Sequence, residues 1–165
     1  MSAQKRLVLL GLTLVAALSV FAAPVMASHM ETAFNAVLGE AEQLGIDRQW
    51  VDDEGMTRIR GQRMVRPITG EASGQEEVAA NFNLDEATGD GLMWGSTMLT
   101  LDYGGRQGTF RSRFFGTVTD GLAEGWVYGI GLGDFEGTML SASFSDVESL
   151  VETPLAGIVI EPAAD

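Results

Sequence analysis

The sequence predicts a mainly β protein: a closed antiparallel barrel of about eight strands, preceded by one N-terminal amphipathic helix. Three observations carry that expectation. From Trp50 onward apolar residues recur at every second position in short runs. The runs are separated by clusters of Gly, Asp and Thr, such as DEATGDG and TDGLAEG, with no helical pattern between them. Finally, GWVYGIGLGDFEG sets glycines against Trp126, Tyr128, Ile130 and Leu132, the pattern of a strand with one bare face and one bulky face.

Residues 1–27 read as a secretory signal. Lys5 and Arg6 precede an apolar run from Leu7 to Ala23, and the small residues before Ser28 suit cleavage after Ala27. The run is shorter than the ~20 residues a spanning helix needs, so removal is expected and stable membrane insertion is not. The expected location is exported, periplasmic or extracellular. Cys is absent, which rules out disulfides and a lipid on a terminal cysteine. A chain this long builds a sufficient core without them.

Residues 28–48 are expected to form the helix and a linker. In ETAFNAVLGEAEQLG, Phe34, Val37, Leu38, Ala41 and Leu44 recur at three- and four-residue steps, and Gly45 stands where a helix commonly stops. Such a helix packs its stripe on the domain as a lid or plug.

Residues 49–165 are expected to be the barrel domain. MTRIRGQRMVR is a first strand. EEVAANFNL follows, with Val78, Ala80, Phe82 and Leu84 on one face and Glu77, Ala79, Asn81 and Asn83 on the other. DEATGDG makes a hairpin tip. LMWGSTMLTLDY, the turn GGRQG and TFRSRFFGTVT come next, the last placing Phe110, Phe114 and Val118 opposite Arg111 and Arg113. The glycine strand, MLSASFS and PLAGIVIEP complete the domain. The G-x-G-x-G spacing, followed by strand-like DFEGTMLSASFS, does not fit the G-x-G-x-x-G turn that binds dinucleotides between a strand and a helix.

Charge and residue inventory exclude more than they assign. All 23 acidic residues follow the signal, against eight arginines and no lysine, a net charge of −15 beyond Ala27. Such a surface repels nucleic acid and anionic lipid. Arg111 and Arg113 also oppose a lipid-facing strand if the phenylalanines fill the interior. Without Cys, with Lys5 as the only lysine and His29 as the only histidine, the domain has no Ser-His-Asp triad, thiol nucleophile or Schiff-base lysine. Zinc and copper sites built on His and Cys are excluded likewise. Asp52, Asp53 and Glu54, and then Asp85, Glu86 and Asp90, miss the calcium-loop spacing and read as solvated turns. No metal and no cofactor are expected. Arg58, Arg60, Arg63 and Arg66 are expected to pair across strands with Glu76 and Glu77 rather than to form an anion pocket, since Arg58 and Arg60 alternate with Ile59 and so face solvent.

The candidate ligand-lining residues are Phe82, Tyr103, Phe114, Trp126 and Tyr128, with Phe110 beside them in the core. Two arrangements of the glycine strand are open. If its aromatics face inward they line the cavity; if Gly129, Gly131 and Gly133 face inward, the cavity grows and Trp126 and Tyr128 become a sticky outer surface. Glu136 and Tyr128 are the candidates for acid–base catalysis.

WGSTMLTLD, GTFRSRFFGTVTDG, GIGLGDFEGTMLSASFS and the closing GIVIEP strand together resemble the allene oxide cyclase-like families, small calycin-type barrels that include secreted bacterial members of unassigned function. The resemblance spans roughly Met56 to Pro162. It implies a compact antiparallel barrel whose interior holds a small apolar molecule, and some relatives of this shape cyclise a flexible substrate there. It transfers no catalytic residue to this chain. Three functions follow as expectations: an exported barrel binding a small apolar molecule, a cofactor-free cyclase or isomerase, and a structural or partner-binding module, homo-oligomeric in some forms.

Overall fold

A computed structural model describes residues 30–148 and 152–161, so the expected signal, its cleavage point and His29 lie outside the described residues. Nine strands follow in order: β1 (Met30–Leu38), β2 (Glu42–Val51), β3 (Met56–Gly70), β4 (Ser73–Asp85), β5 (Gly91–Tyr103), β6 (Arg106–Thr119), β7 (Leu122–Gly133), β8 (Met139–Glu148) and β9 (Thr153–Glu161). They form one antiparallel sheet in the order β1-β9-β8-β7-β6-β5-β4-β3-β2, with β1 also paired to β3. From β3 to β9 each strand pairs with its sequence neighbours, as tight turns between alternating runs require.

The expected N-terminal helix is not there; its residues are β1 and the first part of β2. The sequence supports both periods, because Phe34, Ala36 and Leu38 alternate as well as Phe34, Val37 and Leu38 step helically. What decides is β9, whose free edge takes β1 over nine residue pairs from Met30–Glu161 to Leu38–Thr153. Phe34, Ala36 and Leu38 are buried, while Ala33, Asn35 and Val37 are exposed. Gly157 makes the fit: a Cβ there would lie 2.7 Å from the Phe34 ring. Propensity yields to a nine-pair ladder.

The closed eight-stranded barrel is also corrected. Among the described residues there are nine strands, and β1 and β2 together form one bent partner for β3. β1 pairs with Ile68–Gly70 only, then the Gly39 N–H donates to Pro67 O, and β2 takes the remaining edge from Val65 to Thr57. The return of the sheet onto itself is thus confined to three residue pairs at one end. At the other end β2 leaves the ring with its outer edge unpaired among the described residues, and β9 pairs with β8 only as far as Phe144. A bulge at Gly45 and the charged Glu42, Asp47 and Arg48 blunt that edge.

The two ends of the interior differ accordingly. At the end with the β1–β3 seam, Phe34, Leu99, Leu101, Phe110, Phe135, Leu140 and Val159 pack into a core. Phe135 belongs to the β7–β8 turn yet is wholly buried, its ring 4.8 Å from that of Phe110. Gly131 leaves its place open, since an added Cβ would run into Phe135 O and Thr138 Oγ1. The other turns follow their sequences: Asp120 and Gly121 have φ of 52° and 79°, the left-handed pair that a two-residue hairpin needs.

The acidic runs are turn caps, as their composition suggested. Asp52 Oδ1 accepts the N–H groups of Glu54 and Met56 at 3.0 Å each, and Oδ2 accepts Arg58 Nε at 2.7 Å. The Met56 amide foremost, with Arg58 and the Glu54 amide, holds the Asp52 carboxyl below its usual 3.8, against a smaller opposing effect of burial. A carboxyl lowered in the fold stabilises it above the unfolded value and loses that contribution as pH falls through the folded one. Asp52→Asn is therefore expected to be less stable than the parent at neutral pH, with the gap closing as pH falls below about 3.8. Denaturant unfolding at the two pH values measures this, and a gap that does not change with pH contradicts it.

Candidate ligand-binding cavity

The unsealed half of the interior holds a cavity of about 340 Å³. Its walls are built by alternation. On β4 the inward residues Glu76, Val78, Ala80, Phe82 and Leu84 run down the cavity in one line. Facing them are Met93 of β5, Phe114 and Val118 of β6, Ala123 and Val127 of β7, Phe144 of β8 and Leu155 of β9. Ile46, Ile59 and Met64 complete the wall where β2 departs. Leu84, Val118 and Ala123 are only part-buried and Gly121 is exposed, which marks the rim. Leu38, Glu76 and Leu155 are buried and mark the floor, roughly 25 Å from Leu84 along β4 at ~3.3 Å per residue.

The floor is polar. Arg66 and Glu76 are direct cross-strand partners, and Arg66 Nε donates to Glu76 Oε2. Their side chains are only 15% and 5% exposed. Glu76 Oε1 accepts the Thr97 hydroxyl at 2.9 Å. Thr97 lies beside the equally buried Ser112 across β5–β6, whose Oγ has no partner among the described residues. Gln62 is the other polar side chain of the lining. An apolar shaft over one ion pair is the arrangement expected of a site for a small, largely apolar molecule.

Phe82 and Phe114 line the cavity, and the whole predicted β4 face of Val78, Ala80, Phe82 and Leu84 does so. Tyr103 sits in the other half, its ring 5.6 Å from Phe34 and its hydroxyl donating to Ala33 O at 3.1 Å. β7 takes the second of the two arrangements except at Gly133, which is exposed and has φ of 70°. Gly125, Val127, Gly129 and Gly131 face inward, while Trp126 and Tyr128 are 56% and 58% exposed, beside Ile130 and Leu132 on the outer face. Glu136 is exposed in the β7–β8 turn, on a part of the chain that does not line the cavity.

The arginines split four ways. Arg66 alone of the four pairs with Glu76, and it faces inward. Arg63 meets Asp47 on the surface at 3.1 Å, and Arg58 caps the β2–β3 turn through Asp52. Arg60 lies outside between Trp50 and Trp94, 5.5 Å and 4.9 Å from their rings, and donates to Phe82 O and Asn83 Oδ1. Burial first, then the charges of Arg58 and Arg48, lowers its pKa. The bulge between Ile59 and Gln62 explains the split, because it shifts which residues of β3 face inward. Arg60 is outward and Arg66 inward despite an even separation. A Gly between alternating runs, as in RIRGQRMVR, was the available signal.

No protein-family model matches the chain, and no curated protein matches it. Among solved structures, it is similar to a protein of unknown function from the DUF3224 family of Shewanella oneidensis MR-1. The match has a TM-score of 0.63 at 14% identity and covers 84% of this chain and 100% of that one. The likeness is one of fold.

Proposed function

We propose that this chain is an exported protein that binds one small apolar molecule in the cavity between β4 and β6–β9. The observation that carries the reading is the composition of the shaft. Between the rim and the Arg66–Glu76 floor, Gln62 is the only polar side chain among the described lining residues. A volume of about 340 Å³ lies at the lower end of the range for ligand sites. The basic head and apolar run of residues 1–27 support export. Binding is favoured over cyclisation because neither Glu136 nor Tyr128 lines the cavity, leaving Glu76, already engaged by Arg66 and Thr97, as the one carboxylate among the described lining residues.

Two measurements test it. Native mass spectrometry of the full chain from its source detects a co-purifying molecule directly. Ala80→Phe supplies the second: Ala80 is buried in the cavity wall, and a benzyl group there projects into the empty volume. Affinity for the neutral dye prodan is expected to fall at least tenfold while the melting temperature holds or rises, because the added ring fills space rather than overpacking it. Unchanged dye affinity in a folded Ala80→Phe chain would sink the proposal.

A further inference from the structure

We infer that the cavity selects ligands whose polar end is an uncharged hydrogen-bond acceptor, an alcohol or a carbonyl, and discriminates against a carboxylate of the same chain length. The inference rests on the binding function proposed above and concerns what the floor recognises. Arg66 has five N–H donors. Its Nε is used by Glu76, and its two Nη groups have no hydrogen-bond partner among the described residues. They belong to a residue that lines the cavity, so an entering ligand meets free donors there. An alkyl chain without an acceptor leaves those donors unmet and gains less.

Charge sets the second half of the selection. The Arg66 cation is already matched by Glu76, whose side chain is 5% exposed. A second carboxylate on the same guanidinium would leave one net negative charge in an apolar shaft, with its hydration lost and no cation to offset it. A neutral oxygen accepts from Nη without adding charge. Thr97 reinforces this by binding the other Glu76 oxygen, which holds the carboxylate on Arg66 rather than free to swing away. Glu76 is thus a specificity residue acting through Arg66.

Competition against bound prodan tests this with three probes of one chain length: decane, decanol and decanoate at neutral pH. In the parent protein decanol is expected to displace the dye at a concentration at least tenfold below either of the others. Glu76→Gln keeps an acceptor for Arg66 and a polar partner for Thr97 but unmasks the cation, so decanoate is expected to overtake decanol. Decanoate matching decanol in the parent, an unchanged order in Glu76→Gln, or bound prodan that decanol does not displace would each overturn the inference while leaving binding itself intact. Failure of prodan to bind at all would instead overturn the proposed function. Should Glu76→Gln not fold, the double variant Arg66→Met with Glu76→Leu serves: it carries no donor at position 66 and is expected to erase the advantage of decanol over decane, and retention of that advantage refutes the role of Arg66.

Discussion

Replacing Phe135 with alanine is expected to lower stability by about 3–5 kcal/mol, the range for removing a fully enclosed aromatic ring. Phe135 is 0% exposed although it lies in a turn. Its ring packs against that of Phe110 at a tilt of 33° and carries the Arg106 guanidinium 4.7 Å from its centre. The turn that delivers it is tied in place. Phe135 O accepts both the N–H and the hydroxyl of Thr138, and the Gln107 N–H donates to Asp134 Oδ2 at 3.1 Å. Those bonds limit how far the turn can collapse into the vacated space, so most of the cavity term persists. Gly108 and Gly131 bear on the same point, because a side chain on either would occupy the place of Phe135. Urea unfolding of Phe135→Ala against the parent measures the loss. A loss under about 1 kcal/mol would show that the ring does not seal this end. Where the variant remains folded, its affinity for prodan is expected to match the parent, since Phe135 does not line the cavity.

Phe135 also marks how far the fold was legible in the sequence. Two-residue periodicity was enough to find β3 to β9 as strands, and on β4 and β6 Val78, Ala80, Phe110 and Phe114 fall inward where alternation puts them. It failed where one segment satisfied two periods. Phe34, Leu38 and their neighbours suit a helix alone and a strand beside β9, and only the presence of β9 and of Gly157 opposite Phe34 separates the two. The number of strands and the partial seam went with that error, since β1 and β2 are the segments concerned. Facing was ambiguous on β7 for a related reason: both of its faces alternate strictly, and only neighbouring side chains show which one is enclosed. Ser112 and the Phe135–Thr138 turn occupy the room over Gly129 and Gly131, so the glycines face in. The candidate site was legible in its walls and not in its floor. Arg66 and Glu76 were recognised as a pair, yet a charged pair gives no sign in sequence of lying inside a shaft, and the β3 bulge hid which arginine turns inward.

That buried pair sets up the other large effect. Glu76→Leu is expected to cost about 3 kcal/mol or more, because it strands the Arg66 cation and leaves the Thr97 hydroxyl without its acceptor. Arg66→Met is expected to cost a similar amount by leaving the Glu76 carboxylate enclosed and unpaired. The double variant, Arg66→Met with Glu76→Leu, removes both charges and leaves apolar side chains continuous with Leu38, Val78 and Leu155. Its stability is expected to return to within about 1 kcal/mol of the parent, or to exceed it, since two desolvated charges repay little more than their own burial. The interaction energy from this cycle, read by urea unfolding of all four chains, carries the argument. Were the double variant to lose the sum of the two single losses, the residues would act independently and the description of the floor as one ion pair would fall. A restored double variant means that folding does not require the pair, although both residues line the cavity. Stability then does not explain why this chain carries charge inside its sheet, and recognition of a polar oxygen is the role proposed for it. The double variant should accordingly remain folded and hold prodan, yet lose the preference for decanol over decane.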